Sequence, residues 1–88
     1  MHDVYILRCA DGSLYIGHTD DLAMRVARHN AGSADCSFTR RRRPVRLVYS
    51  EPFASREAAV SRERQLKRLT RAKKDALISG DTPLLKRL

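Results

Sequence analysis

Five residues spread along the chain carry the side chains that phosphodiester hydrolysis requires: Tyr5, Tyr15, Arg25, His29 and Glu63. A carboxylate is a hard ligand for Mg²⁺, a hydroxyl or an imidazole can accept a proton from water, and a guanidinium can stabilise charge on phosphate. Each residue is weak evidence alone, because a tyrosine is more often a packing residue and one carboxylate cannot make a two-metal site. Together they make nuclease chemistry a hypothesis for this chain.

The chain is small and strongly basic. It has 88 residues, with 18 Lys and Arg against 10 Asp and Glu, and a net charge of +8. A domain of this size buries only about 60% of the surface of its unfolded chain, so we expect no deep substrate cavity. The charge indicates nucleic acid as partner, ahead of an anionic membrane, since no long apolar run or secretory leader is present. Two cysteines without zinc-site spacing indicate a reducing, cytoplasmic location, with association with the nucleoid an option.

A β-hairpin is predicted to hold both N-terminal tyrosines. A two-residue turn would mix the apolar and polar residues of its strands on each face. A three-residue loop at residues 10–12, with its glycine in the left-handed conformation, instead pairs Ile6 with Ile16 and puts Tyr5 and Tyr15 on one face. We therefore predict the three-residue loop.

The first helix is predicted over residues 20–30, with Thr19 or Asp20 as its cap and Gly32 closing it. The spacing i, i+3, i+4, i+7 gives an inward stripe of Leu22, Arg25, Val26 and His29. Because a buried cation needs a partner, we expect the arginine and the histidine of this stripe to border a cleft. A rotated helix with Ala23 and Ala27 inward, and the two polar residues solvated, is the open alternative.

A long loop, residues 31–43, ends in four arginines, Arg40, Arg41, Arg42 and Arg43. They are predicted to contact phosphate, with a solvated patch as the alternative. A third strand is predicted over residues 45–50 and is expected to stop before Pro52.

Two further helices follow. The first of them begins after the cap Ser55, with Glu57 in its first turn and an apolar stripe of Ala59, Leu66 and Leu69. Glu63 lies on that stripe, which makes it a candidate functional residue. The alternative is that it only forms a surface ion pair with Lys67. A short last helix starts after the cap Thr70, with Ala72, Ala76 and Leu77 facing inward, and ends at residues 79–80. The tail DTPLLKRL could pack its leucines or fray.

The order of these residues resembles the GIY-YIG nuclease domain. The resemblance rests on Asp3-Val4-Tyr5, Tyr15-Ile16-Gly17, Arg25 ten residues after Tyr15, His29 four further on, and Glu63 on the next helix. The segments HNAG and SFTRRRRPVRLVYSE are similar to small stand-alone bacterial members, which are related to the nuclease domain of structure-selective junction endonucleases. Departures are the missing Gly and Ile of the first motif, Phe38 where relatives often have Tyr, His18 where some have Lys, and the lack of a late Asn.

The resemblance implies an α/β fold of the α+β type: a three-stranded antiparallel sheet flanked by about three helices, with a single domain over residues 1–80 and a tail over 81–88. It implies that Glu63 holds one divalent metal, Mg²⁺ or Mn²⁺. It implies Tyr5 as general base or its relay, Tyr15 as the group that orients water or phosphate, Arg25 as the stabiliser of phosphate charge, and His29 at a helix position that is His or Tyr in relatives. An ordinary tyrosine pKa near 10 would have to be lowered by cations or the metal for Tyr5 to act as a base.

The predicted function is a metal-dependent endonuclease that hydrolyses DNA, with low sequence specificity or with selectivity for branched or damaged DNA, as in DNA repair. Lys67 joins the arginine run as a candidate nucleic-acid contact, and His18 is a further site candidate, although the predicted register puts it opposite Val4 on the other face. The alternative is a nucleic-acid-binding module with little cleavage. RNA stays open as a substrate, no membrane partner is expected, and the protein is expected to be a monomer or a weak dimer.

Overall fold

A three-stranded antiparallel sheet organises the protein, whose residues 1–80 are described by a computed structural model. The strands are β1 (His2–Arg8), β2 (Leu14–Thr19) and β3 (Arg46–Phe53), in the spatial order β2-β1-β3. The helices are α1 (Leu22–Ala31), α2 (Ser37–Arg40), α3 (Arg56–Lys67) and α4 (Arg71–Ser79). The predicted α+β architecture is confirmed. The tail DTPLLKRL and its two alternatives lie outside the described residues.

The hairpin has the predicted register. Ile6 lies opposite Ile16. The Cys9 amide donates to the Ser13 carbonyl at 2.8 Å, and Gly12 has a φ of +86°, as a three-residue loop with a left-handed glycine requires. Side chains of β1 and β2 therefore separate cleanly into two faces.

Each face of the sheet has its own core. One core joins Val4, Ile6 and Ile16 to residues of α3 and α4, namely Ala59, Leu66 and Leu77. The other joins Tyr5, Leu7, Cys9 and Val45 to Tyr15 and to Leu22 and Val26 of α1. The tyrosine face is thus covered by α1, whereas α3 packs on the opposite face.

The third strand extends further than predicted: it continues through Pro52 and ends at Phe53. Pro52 lies opposite Asp3, and β3 is an edge strand, where a residue without an amide hydrogen is tolerated. A register shift between Ile6 and Leu7 marks a bulge in the pairing of β1 with β3. The prediction that Pro52 ends the strand was wrong.

The start of α1 and one inward residue of α4 also differ from prediction. Asp21, not Thr19 or Asp20, caps α1 by accepting a hydrogen bond from the Met24 amide, and Gly32 closes the helix with a φ of +73°. Ser55 and Thr70 cap α3 and α4 as predicted. In α4, Ala76 and Leu77 are buried but Ala72 is exposed.

The long loop contains structure that its sequence did not indicate. The single turn of α2 lies inside residues 31–43 and ends at Arg40. Asn30, in the last turn of α1, ties the following chain down: its Oδ1 accepts from the Val45 amide at 2.8 Å and its Nδ2 donates to the Val45 carbonyl at 3.1 Å. The loop is therefore anchored at both ends. Within the described chain, no helix is both long and apolar enough to cross a membrane.

Candidate active site

Tyr5 and His29 form the buried centre of the candidate site. Tyr5 on β1 and His29 on α1 are each 1% exposed, and the tyrosine hydroxyl lies 3.1 Å from Nε2 of His29. The inward stripe predicted for α1 is confirmed, because His29 is buried and Arg25 half-buried, whereas Ala23 and Ala27 are exposed. The expectation that His29 borders a cleft was wrong, because the imidazole lies in the core, where Tyr5 and Thr39 are its hydrogen-bond partners. The rotated alternative for this helix was wrong.

Thr39 of α2 fixes the direction of that hydrogen bond. Its Oγ1 lies 2.7 Å from Nδ1 of His29, and its hydroxyl donates to the Cys36 carbonyl at 3.2 Å. A threonine hydroxyl has one hydrogen, so with that hydrogen on the Cys36 carbonyl its oxygen accepts from a protonated Nδ1. The neutral ring then has its lone pair on Nε2, and the Tyr5 hydroxyl donates to it. The four groups form a directed chain that ends at a backbone carbonyl.

Tyr15 and Gly17 of β2 shape the space around Tyr5. The Tyr15 ring lies 4.9 Å from the His29 ring and 6.2 Å from the Tyr5 ring, between centroids. Gly17 lies opposite Tyr5 in the sheet, and a Cβ there would come within 2.7 Å of the Tyr5 hydroxyl oxygen. A side chain at position 17 would occupy the space that the Tyr5 hydroxyl needs.

Arg25 lies one helical turn before His29 and supplies positive charge to the site. Its side chain is 33% exposed, and Nη1 lies 3.9 Å from Oδ2 of Asp35, which also pairs with Arg28 at 3.3 Å. The charge of Arg25 lowers the pKa of Tyr5, of Tyr15 and of His29. The guanidinium is therefore close to all three rings and is held by a carboxylate of the loop.

Burial, rather than charge, dominates the protonation of these rings. Desolvation raises the pKa of Tyr5 and of Tyr15, against the opposing effect of Arg25, and it lowers the pKa of His29. The expectation that cations would lower the tyrosine pKa therefore does not hold for the protein residues alone. Near neutral pH Tyr5 is protonated and His29 is neutral, in agreement with the direction of their hydrogen bond.

Glu63 lies on α3, which packs on the face of the sheet opposite α1. Its neighbours on the stripe of α3, Ala59 and Leu66, are fully buried, and its own side chain is 16% exposed. Its charge raises the pKa of both Tyr5 and Tyr15, so the carboxylate acts on the tyrosines across the edge strand β2. The ion pair with Lys67 forms as well, with Oε1 and Nζ 3.9 Å apart.

The residues around Glu63 fit a weakly chelated divalent ion. Among residues 1–80 no group of three or more His, Cys, Asp or Glu could enclose a metal. Mg²⁺ commonly keeps several waters and takes one or two carboxylates plus phosphate oxygens from the substrate. One half-buried carboxylate, with water and substrate oxygens to complete the coordination, is a donor set of that kind.

His18 is not placed with the tyrosines. It lies opposite Val4, as predicted, and its Nδ1 is 2.8 Å from Nε2 of His2. Burial lowers the pKa of His18, while the charge of Glu63 opposes that shift. His18 therefore belongs to the α3 face and is bonded to a second histidine.

The four arginines do not form a uniform patch. Arg42 pairs with Asp11 at 3.3 Å and donates to the Phe38 carbonyl, and Arg43 donates to the carbonyls of Arg40 and Asn30 at 2.8 and 3.3 Å. Both side chains hold parts of the loop together. Arg40 and Arg41 are exposed.

Sequence reasoning missed two supporting residues, Thr39 and Asp35. Neither has a sequence signal, because each acts through a loop conformation that brings it to α1. A bonding partner for the inward His29 could be anticipated, since a buried imidazole needs one, but its identity could not.

Residues 1–75 match the family model of the GIY-YIG catalytic domain. The chain belongs to the GIY-YIG family, a family of nuclease domains, and the resemblance read from its motifs is confirmed.

Among its relatives are UPF0213 proteins. One from Natronomonas pharaonis is 48% identical over 81 residues, which cover 92% of this chain and 94% of the relative. One from Bacillus pumilus is 49% identical over 77 residues, which cover 88% and 78%. The solution NMR structure of a UPF0213 protein from Bacillus halodurans matches with a TM-score of 0.57 and 45% identity, covering 89% of this chain and 82% of that one.

Proposed function

We propose that this protein is a metal-dependent endonuclease that hydrolyses phosphodiester bonds of DNA. The observation that carries the proposal is the buried chain from the Tyr5 hydroxyl through His29 to Thr39, with Arg25 and Glu63 acting on the same tyrosine. A packing tyrosine needs a hydrogen-bond partner for its hydroxyl but has no need of a guanidinium and a carboxylate that act on it as well. Their convergence gives one hydroxyl a proton acceptor behind it and charges of both signs beside it.

Tyr5 acts as a relay rather than as a free phenolate. A water molecule attacks phosphorus and gives its proton to the Tyr5 oxygen, while the Tyr5 proton passes to Nε2 of His29. The P–O bond to water forms, the P–O bond to the departing sugar breaks, and the sugar oxygen takes a proton from solvent. His29 becomes an imidazolium whose Nδ1 hydrogen stays bonded to Thr39. Because no phenolate accumulates, the raised pKa of Tyr5 is not an obstacle.

Tyr15 and Arg25 position the phosphate. The Tyr15 hydroxyl orients the water or a phosphate oxygen by hydrogen bonding. The Arg25 guanidinium, held by Asp35, meets the negative charge that develops on phosphate in the transition state. A guanidinium fixed in advance stabilises that charge without reorganising during the reaction.

Glu63 would hold the Mg²⁺ or Mn²⁺ ion. When bound, the ion would offset charge on the scissile phosphate and on the attacking oxygen. Lys67 is the ion-pair partner of Glu63, and its release would leave an ammonium group for a neighbouring DNA phosphate.

The substrate is expected to be recognised through its backbone. The net charge of +8 and the exposed Arg40 and Arg41 favour phosphate contacts, which carry no sequence information. We therefore propose low sequence specificity, with branched or damaged DNA among the substrates, a role in the cytoplasm, and action as a monomer or weak dimer. Arg42 and Arg43 are proposed to contribute charge while also bracing the loop.

A nicking assay tests this function. Supercoiled plasmid and branched DNA are incubated with Mg²⁺ or Mn²⁺, or with a chelator, and with RNA of matched shape as a further substrate. We expect the wild-type protein to cut DNA only with metal, Glu63→Ala and Arg25→Ala to lose at least about 100-fold in rate, and Glu57→Ala, an exposed glutamate of the same helix, to cut normally. If the wild type binds DNA but never cuts, or the two site variants cut as it does, the protein is instead a binding module.

A further inference from the structure

A groove runs along β2 and includes Tyr15 in its lining. It has a volume of about 250 Å³ and is lined by Leu14, Tyr15, Ile16, Phe38, Lys67 and Lys74. β2 is an edge strand of the described sheet, so this side of it faces the groove rather than another strand. Apart from Tyr15 and Lys67, the proposed hydrolysis uses none of these residues.

Phe38 is an exposed aromatic side chain held in a fixed position. Phe38 is 40% exposed, and its ring centroid lies 5.8 Å from that of Tyr15. The Arg42 guanidinium lies 4.1 Å from the ring centroid, and Arg42 is itself held by Asp11 and by the Phe38 carbonyl. An exposed aromatic ring that Tyr15 and Arg42 hold in place is suited to act as a stacking surface.

Two lysines line the groove together with this ring. Lys67 ends α3 and Lys74 lies in α4, so two different elements bring a cationic side chain to one small space. An aromatic ring with ammonium groups beside it matches a ligand with a flat base and an anionic phosphate. A nucleotide has both.

We propose that this groove binds one unpaired nucleotide next to the scissile phosphate, with its base against Phe38 and its phosphate on Lys67 and Lys74. The proposal rests on the proposed function for its placement of the scissile phosphate near Tyr15. A base inside a duplex is stacked on both faces and cannot offer one to Phe38. The substrate class is therefore nucleic acid that is single-stranded at the cut site, such as a flap, a gap or a free strand.

Binding without metal tests the proposal separately from cleavage. A short single strand carrying the fluorescent base 2-aminopurine, and the same strand in a duplex, are titrated with protein in chelator. We expect the single strand to bind more tightly and its fluorescence to be quenched by stacking. Phe38→Ala should weaken single-strand binding about tenfold and abolish the quenching, Phe38→Tyr should preserve both, and duplex binding should not change.

Leu47→Ala is the matched control for Phe38→Ala, since Leu47 is also exposed, at 38%, but lies on β3 at the far edge of the sheet.

The phosphate contact is tested by the salt dependence of single-strand binding. Lys74→Ala should make the slope of log affinity against log salt concentration shallower by about 0.7. Lys73→Ala, its neighbour outside the groove, should reduce it less. A strand of RNA with the same sequence shows whether the sugar is discriminated.

Equal binding of duplex and single strand, or equal effects of Phe38→Ala and Leu47→Ala, would overturn the proposal. The two proposals fail in distinguishable ways. A protein that stacks a base on Phe38 but never cuts contradicts only the nuclease. A protein that nicks duplex DNA and is indifferent to Phe38→Ala contradicts only the groove.

Discussion

The hydroxyl of Tyr5 donates a hydrogen bond to Nε2 of His29, 3.1 Å away, in a part of the protein where both side chains are 1% exposed. The two residues are 24 positions apart in the sequence, and Thr39 sets the ring of His29 so that its lone pair faces the tyrosine. Water does not compete for this bond, so whatever alters the tautomer or the position of either ring alters both.

Replacing Thr39 by valine should break the series of hydrogen bonds that runs from Tyr5 through His29 to Thr39. The change keeps the volume of the side chain but leaves the Nδ1 hydrogen of His29 buried without an acceptor, at a cost of about 1–3 kcal/mol. The imidazole is then free to present a hydrogen at Nε2, and single-turnover DNA cleavage should fall about 100-fold.

Thr39→Ser is the control for this change, because it keeps the hydroxyl. It should cleave at nearly the wild-type rate while losing some stability from the missing methyl group. Equal cleavage by the valine and serine variants would mean that the tautomer of His29 does not matter to the reaction.

A methyl group at position 17 should displace the Tyr5 ring. In Gly17→Ala the new Cβ would come within 2.7 Å of the Tyr5 hydroxyl oxygen and 2.9 Å of its Cζ, and overpacking of this kind costs about 1–3 kcal/mol. We expect cleavage to be lost while circular dichroism still reports a folded protein.

Gly12→Ala is the matched control. It strains a left-handed residue, but no atom lies within 4 Å of the new Cβ, so it should lower stability and leave cleavage intact. Similar cleavage by the two variants would contradict this role for Gly17.

Stability should decline as the pH falls below about 6.5. Burial, with help from Arg25, holds the pKa of His29 below its ordinary value of 6.5. The unfolded chain therefore binds a proton at a pH where the folded protein does not, and the free energy of unfolding falls between pH 6.5 and the lowered pKa of the folded state. Urea unfolding followed from about pH 7.5 to about pH 5 measures this, and one such proton gives at most about 1.4 kcal/mol per pH unit.

His29→Asn should flatten that pH dependence. It should not abolish it, because burial also lowers the pKa of His18, which adds a decline of the same sign. The same slope in His29→Asn and in the wild type would show that His29 does not carry the effect.

The hairpin register and the inward face of α1 could be predicted because local patterns decide them. Strand alternation leaves one register that groups Val4, Ile6 and Ile16, and a single stripe on α1 puts His29 inward. The caps Ser55 and Thr70 were predictable for the same reason, since a cap bonds to an amide only a few residues away.

Features that depend on distant contacts could not be predicted. The turn of α2 packs against α1, where Thr39 contacts His29, and no cap signal marks its start, because Cys36 precedes it without a side-chain capping bond. Pro52 stays in β3 because that strand lies at the edge of the sheet. The sequence of β3 does not reveal that edge position. Likewise, Glu63 could be placed on a stripe, but its reach across β2 to the tyrosines follows only from the tertiary arrangement.

The most direct test of the proposed site compares two tyrosines that each lose only a hydroxyl. Tyr5→Phe removes the donor to His29, and Tyr49→Phe removes a hydroxyl that donates to Glu51 on β3. Single-turnover cleavage of branched DNA that carries a single-stranded arm, with Mg²⁺, should be at least about 100-fold slower for Tyr5→Phe and close to the wild-type rate for Tyr49→Phe. If Tyr5→Phe cuts as fast as Tyr49→Phe, the buried Tyr5 and His29 pair is not the reactive centre.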